Sequence, residues 1–126
     1  MTPSRSAFQL HEIDDATCLR MVKGAATPMA LNDFGTALSQ MIAKPERARI
    51  IVDLSEVDFM PTAMLGHLIA ANTKLRGKGG RIRLVGVNPH ITGVFEVTRM
   101  KDHFDFHPNV EAAAASFKSA SPLKPS

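Results

Sequence analysis

The chain is predicted to be an α/β domain, a small mixed β-sheet packed against helices in the order β-β-α-β-α-β-α-β-α. Three observations carry this. The nearly unbroken apolar run Ile50-Ile51-Val52-Asp53-Leu54 has the composition of a strand covered on more than one side. Leu31, Phe34, Leu38, Met41 and Ile42, and later Leu65, Leu68, Ile69, Asn72 and Leu75, recur at helical spacing. Strand, helix and strand then follow one another over 48–87, the pattern of a right-handed, parallel βαβ unit.

Taken in order, Phe8 and Leu10 alternate with Gln9 and His11, so this stretch reads as a half-buried strand. Asp14-Asp15 is a turn, and 16–22 a second strand completing an antiparallel hairpin. A loop at 23–28 leads into an amphipathic helix over 29–43, in which Gly35 costs about 1 kcal/mol relative to Ala. Lys44-Pro45-Glu46 stops that helix. The strand 48–54 and a helix over 62–76 follow, the latter closed by Lys78-Gly79-Gly80. Alternation in 81–87 gives a strand with Ile82 and Leu84 inward. Asn88-Pro89 pairs an N-cap residue with proline at the first helical position, opening a helix over 89–99. Residues 104–107 form a short strand at the end of the sheet. Asn109 caps a last helix over 110–118, with Val110, Ala113, Ala114 and Phe117 facing inward.

The length of 126 residues fits one domain, placed at 7–118, with 1–6 and 119–126 as flexible tails. Fifteen Lys and Arg oppose twelve Asp and Glu, a net charge of +3 that is no nucleic-acid signature. With no Trp or Tyr there are few stacking platforms for bases. The lone Cys18 permits no internal disulfide and no thiolate metal site. No apolar run is long enough to span a bilayer, and no apolar leader opens the chain. These features point to a soluble cytoplasmic protein without cofactor, metal, membrane insertion or direct nucleic-acid contact.

The strand-to-helix corner is the candidate site. The helix opens at Thr62, read as an N-cap, where free N–H groups and the helix dipole favour anions. Pro61 fixes an extended approach. Met60 and Met64 are either adaptable contacts or core, and His67, off the Leu65–Leu68–Ile69 face, is expected to be exposed. Other constellations carry less. Asp53 and Asp58 could pair as acid and base only in a shared cleft, and strand-end and turn roles account for them. Asp102, His103, Asp105 and His107 have a spacing that suits a helix, whereas 104–106 reads as extended, which sends alternate residues to opposite faces. Gly77-Lys78-Gly79-Gly80 follows a helix rather than opening one, so it is a turn. Lys74, Arg76, Lys78, Arg81 and Arg83 form a local basic run, as cations near a helix C-terminus commonly do; the same run could also meet an acidic partner.

The run Ile51-Val52-Asp53-Leu54-Ser55-Glu56-Val57-Asp58-Phe59-Met60, the hydroxyl at Thr62 and Leu65-Gly66 resemble a STAS domain, the fold of anti-sigma-factor antagonists. The segment Leu75-Arg76-Gly77-Lys78-Gly79-Gly80-Arg81-Ile82-Arg83-Leu84-Val85-Gly86-Val87-Asn88-Pro89 and the closing Val110-Glu111-Ala112-Ala113 are similar to it as well. The resemblance implies a regulatory protein, not an enzyme. It implies binding to an anti-sigma serine/threonine kinase that phosphorylates Thr62, with a phosphatase reversing the modification. The candidate partner surface around that residue is Met60, Pro61, Thr62, Ala63, Met64 and His67. The family's usual Asp-Ser-Ser-Gly-Leu-Gly is here Pro61-Thr62-Ala63-Met64-Leu65-Gly66, and the acidic loop after its second strand is here Gly24-Ala25-Ala26-Thr27. The alternative is a STAS subunit regulating a transporter ATPase or a larger signalling assembly, with Thr62 an unmodified contact.

Overall fold

The computed structural model describes residues 8–13, 16–22, 27–43 and 49–119. Strands β1 (Phe8–Ile13), β2 (Ala16–Met21), β3 (Ile50–Asp53), β4 (Arg83–Val85) and β5 (Asp105–His107) lie side by side in that order. Helices α1 (Pro28–Ile42), α2 (Thr62–Gly77), α3 (Pro89–Val97) and α4 (Val110–Ser119) follow β2, β3, β4 and β5 respectively. β1 and β2 pair antiparallel, and β2 through β5 run parallel. Every helix therefore begins at the same end of the sheet, beyond the C-terminal ends of the parallel strands.

Alternation sorts the strand residues between two layers. Leu19, Met21, Ile50, Val52 and Leu84 join Phe34, Leu38, Leu68, Leu75 and Phe95 in the main core under α1, α2 and α3. Ala16, Cys18, Ile51 and Val85 face the other way, against Ala113 and Ala114 of α4. Burial on both faces explains why β3 reads as a continuous apolar run. Inside the main core, Asn72 is 2% exposed and bonded through both of its side-chain polar atoms. Its amide donates to the His103 carbonyl at 2.7 Å and its Oδ1 accepts the Ile82 N–H at 2.9 Å, tying α2 to the start of β4 and to the segment before β5. Under α4, Arg83 donates to Ser116 Oγ at 3.0 Å and lies 4.0 Å from the Phe117 ring centroid.

Several details depart from the periodicity. Leu10 does not turn inward but is 52% exposed, because β1 is an edge strand without full cover. The strand expected over 81–87 shortens to Arg83–Val85, as Gly86 adopts φ 68°. α3 ends at Val97 rather than at 99, where Arg99 turns left-handed at φ 61° and Met100 N–H bonds back to Phe95 O at 2.9 Å. A 3-10 turn over Lys101–His103, without a sequence signal, follows it. The Asp14-Asp15 turn, loop residues 23–26, the stop at Lys44-Pro45-Glu46, and tail residues 1–6 and 120–126 lie outside the described residues.

Candidate functional site

The β3–α2 connection is held on several sides. The Leu54 N–H donates to Val85 O at 2.9 Å, and the Ser55 N–H to Asp53 Oδ1 at 2.9 Å. Gly86 lies so close that a Cβ there would sit 2.7 Å from Ser55 Cβ. Asn88 works twice: its Oδ1 caps α3 by accepting the Ile91 N–H at 2.9 Å, and its amide donates to Val57 O and Asp58 O, each at 3.2 Å. Met60 closes the loop from beneath, 6% exposed. This tethering fixes where α2 starts.

Thr62 is not the N-cap. Pro61 holds that position, extended at φ −63° and ψ 147°, and Thr62 is the first helical residue. Its side chain is exposed and caps nothing. The other three described α-helices have side-chain acceptors at their starts: Thr27 takes the Ala30 N–H at 3.1 Å, Asn88 that of Ile91, and Asn109 that of Ala112 at 2.8 Å. α2 has neither such an acceptor nor an acidic residue in its first turn. Its N–H groups and dipole therefore meet solvent at Thr62.

The remaining predicted site residues separate. Ala63 is exposed and Pro61 half-buried beside Thr62. Met60 and Met64 sit in the main core, with Met64 2% exposed, so burial withdraws both from the surface. His67 is not a free surface histidine. Its imidazole lies over Gly35 of α1, in the space a Cβ would occupy, and edge-on to Phe34 with ring centroids 6.4 Å apart. Helix phase explains this: residues 64, 68, 71, 72 and 75 form the buried stripe of α2, which turns His67 toward α1. Two exposed apolar side chains were not anticipated, Phe59 at 61% and Met29 at 76%, both at the end of the domain where Thr62 lies. A large aromatic residue in the short loop between Asp58 and Pro61 was the available signal for the first.

Asp53 and Asp58 share no cleft: Asp53 is buried against the Ser55 N–H with Arg20 3.9 Å away, while Asp58 is exposed. Arg20 also pairs with Glu56. Cys18 is buried, and burial, reinforced by the Asp53 charge, pushes its thiol pKa from 9.0 to about 11. That makes it a poor nucleophile. His103 lies in the 3-10 turn and His107 in β5, and no grouping of three His, Cys, Asp or Glu suited to a metal occurs among the described residues. No described helix is long and apolar enough to cross a membrane.

A family model described as "Mlab, STAS domain" matches residues 10–108. BtrV of Bordetella bronchiseptica, provisionally named an anti-sigma factor antagonist, is 29% identical over 108 residues, 86% of this chain and 92% of BtrV. The fold is similar to that of an anti-sigma-factor antagonist (STAS) domain protein from Planctomyces limnophilus, with a TM-score of 0.78 at 12% identity over 88% of this chain and 97% of that one. It is also similar to the anti-sigma factor antagonist SpoIIAA in its unphosphorylated form, with a TM-score of 0.73 at 21% identity over 90% and 97% of the two chains.

Proposed function

This chain belongs to the STAS domain family, and from that premise we propose that it is a regulatory binding protein of the anti-sigma-factor-antagonist kind, switched by phosphorylation of Thr62. The observation that carries this is the corner itself: an exposed hydroxyl at the start of α2, which among the four described α-helices is the one that lacks a side-chain acceptor. The provisional name of BtrV supports the class. The partner is an anti-sigma factor with serine/threonine kinase activity, and a phosphatase restores the hydroxyl. The chain itself acts by binding, not by catalysis.

Phosphorylation adds about −1.5 to −2 charges at pH 7. At the start of α2 that charge faces unpaired N–H groups and the positive end of the dipole, so the helix tolerates it. A partner covering Pro61, Thr62, Ala63 and the exposed Phe59 would instead have to bury a dianion against an apolar surface. The switch thus works on association and leaves the fold alone. Incubation with the cognate kinase and ATP, read by mass spectrometry, places one phosphate on Thr62. Thr62→Glu weakens kinase binding by about tenfold or more, while Thr62→Ala leaves it nearly intact. Equal binding by both variants removes the switch.

A second reading is favoured by the lack of any carboxylate in the first turn of α2 and by Pro61 where the family commonly has Asp. In it the domain is a STAS subunit that regulates a transporter ATPase or a larger signalling assembly, and Thr62 is a plain contact. An unmodified Thr62 after the kinase reaction, with partner binding still lost in Thr62→Glu, supports this reading.

A further inference from the structure

We propose that the end of the domain opposite Thr62 carries a second docking surface, on which Arg76 beside His103 receives a carboxylate from an acidic segment of another protein. Because β2 through β5 run parallel, the last turn of α2, the entry to β4 and the 3-10 turn before β5 meet at the end remote from Thr62.

The cations there are not equivalent. Arg81 and Arg83 share Asp105, at 3.3 and 3.5 Å, and Lys101 pairs with Glu96 at 3.2 Å. Arg76 and Arg99 form no ion pair among the described residues, although Arg99 lines a hollow with Glu96, Lys101 and Asp102, and both arginines are exposed. The guanidinium of Arg76 donates instead to His103 Nδ1, a contact that requires an imidazole nitrogen without its proton. A guanidinium with five donors thus has one side-chain acceptor and no carboxylate partner among the described residues. His103 is itself held in place: its carbonyl accepts from Asn72 at 2.7 Å and from Arg81 Nε at 3.3 Å. The Arg76–His103 pair is therefore a preorganised donor with a rigid neighbour, not two drifting surface chains.

Beside it is a cleft of about 80 Å³ lined by Ile69, Thr73, Arg76, Met100 and His103. That volume accepts a carboxylate-tipped side chain and falls well short of the roughly 300 Å³ at which small-molecule pockets begin. Stacking of nucleic-acid bases has no platform here, since Phe104 is 3% exposed and the chain has no Trp or Tyr. Val97, 81% exposed at the end of α3, and Arg99 beyond it offer an apolar and a cationic contact to the flanks of such a segment. A single exposed valine is too little for insertion into a lipid interface. The surface is independent of Thr62, so one partner can be engaged there whatever the state of the other end.

The test is an NMR titration of the isotope-labelled full chain with an acetylated, amidated hexapeptide of alternating Glu and Asp, against the Gln/Asn peptide as control. The acidic peptide is expected to give saturable shifts confined to residues 69–76 and 97–104, with none from the control. Arg76→Gln lowers the affinity by about tenfold, the scale of one charge-assisted hydrogen bond, with an unchanged thermal melt. Thr62→Glu leaves the peptide affinity as it was, which separates this surface from the phosphorylation switch. Shifts that never saturate or spread over the whole molecule overturn the proposal, as does wild-type affinity in Arg76→Gln. Tighter binding of a single-stranded oligonucleotide or of phosphatidylglycerol vesicles to the same residues also overturns it.

Discussion

Alanine is a better helix former than glycine by about 1 kcal/mol, so Gly35→Ala in the middle of α1 should stabilise an isolated helix. In this domain the expected sign is reversed. The added methyl would overlap the imidazole of His67, including its Cγ, which is close to the root of the side chain and cannot swing clear by a small rotation. Either α1 and α2 separate, at the about 1–3 kcal/mol typical of overpacking, or the ring leaves. If the ring leaves, its edge-on contact with Phe34 is lost, worth about 0.5–1.5 kcal/mol. With the lost burial of the ring added to that contact, and the gain in propensity set against the sum, Gly35→Ala destabilises by about 1 kcal/mol on either route. In a His67→Ala background the methyl enters vacated space, and the same substitution stabilises by about 1 kcal/mol. Urea unfolding of the four proteins of this cycle yields a coupling of about 2 kcal/mol. A Gly35→Ala effect of the same sign and size in both backgrounds would show that the glycine is not there for the ring. The cycle bears on function because His67 lies on α2 little more than a turn beyond Thr62, so the spacing of α1 and α2 sets the surface around that residue.

Cys18 makes stability fall at alkaline pH. Its folded pKa of about 11 lies above the 9.0 of the accessible thiol, so the unfolded chain loses this proton first. The contribution is intact below pH 9 and is lost as the pH rises toward 11, by about 2–3 kcal/mol in all. Unfolding at pH 8 and pH 10.5 should therefore show a steeper loss in the wild type than in Cys18→Ala; parallel losses exclude the thiol as the cause. At Asn88 two roles can be separated. Asn88→Asp keeps an acceptor for the Ile91 N–H but loses the donors to Val57 O and Asp58 O. It should cost no more than the two lost bonds, about 1–3 kcal/mol, because an aspartate caps as well as an asparagine. Amide exchange at residues 57–63 should quicken, and unchanged exchange there would mean the tether does not position Thr62.

The order of strands and helices was legible because it rests on local periodicity. β3 is apolar on both faces, and Asn88-Pro89 opens α3 where capping chemistry says it should. The misread features are those set between distant segments. Leu10 alternates correctly yet stays exposed, because nothing in the local pattern reveals that its strand lies at an edge. His67 is placed by Gly35, 32 positions earlier, and the 3-10 turn by Asn72 and Arg81 bonding to the His103 carbonyl. At the site the shift is one residue, from N-cap to first helical position, and it alters the argument. A capping hydroxyl contributes about 0.5–2 kcal/mol to its helix, so modifying it would trade stability for charge. Thr62 caps nothing, and Pro61 supplies the extended entry to α2 by its own ring. Its hydroxyl is thus free to be modified or covered without a structural penalty, which places any signal at this corner in what binds there rather than in whether the domain folds.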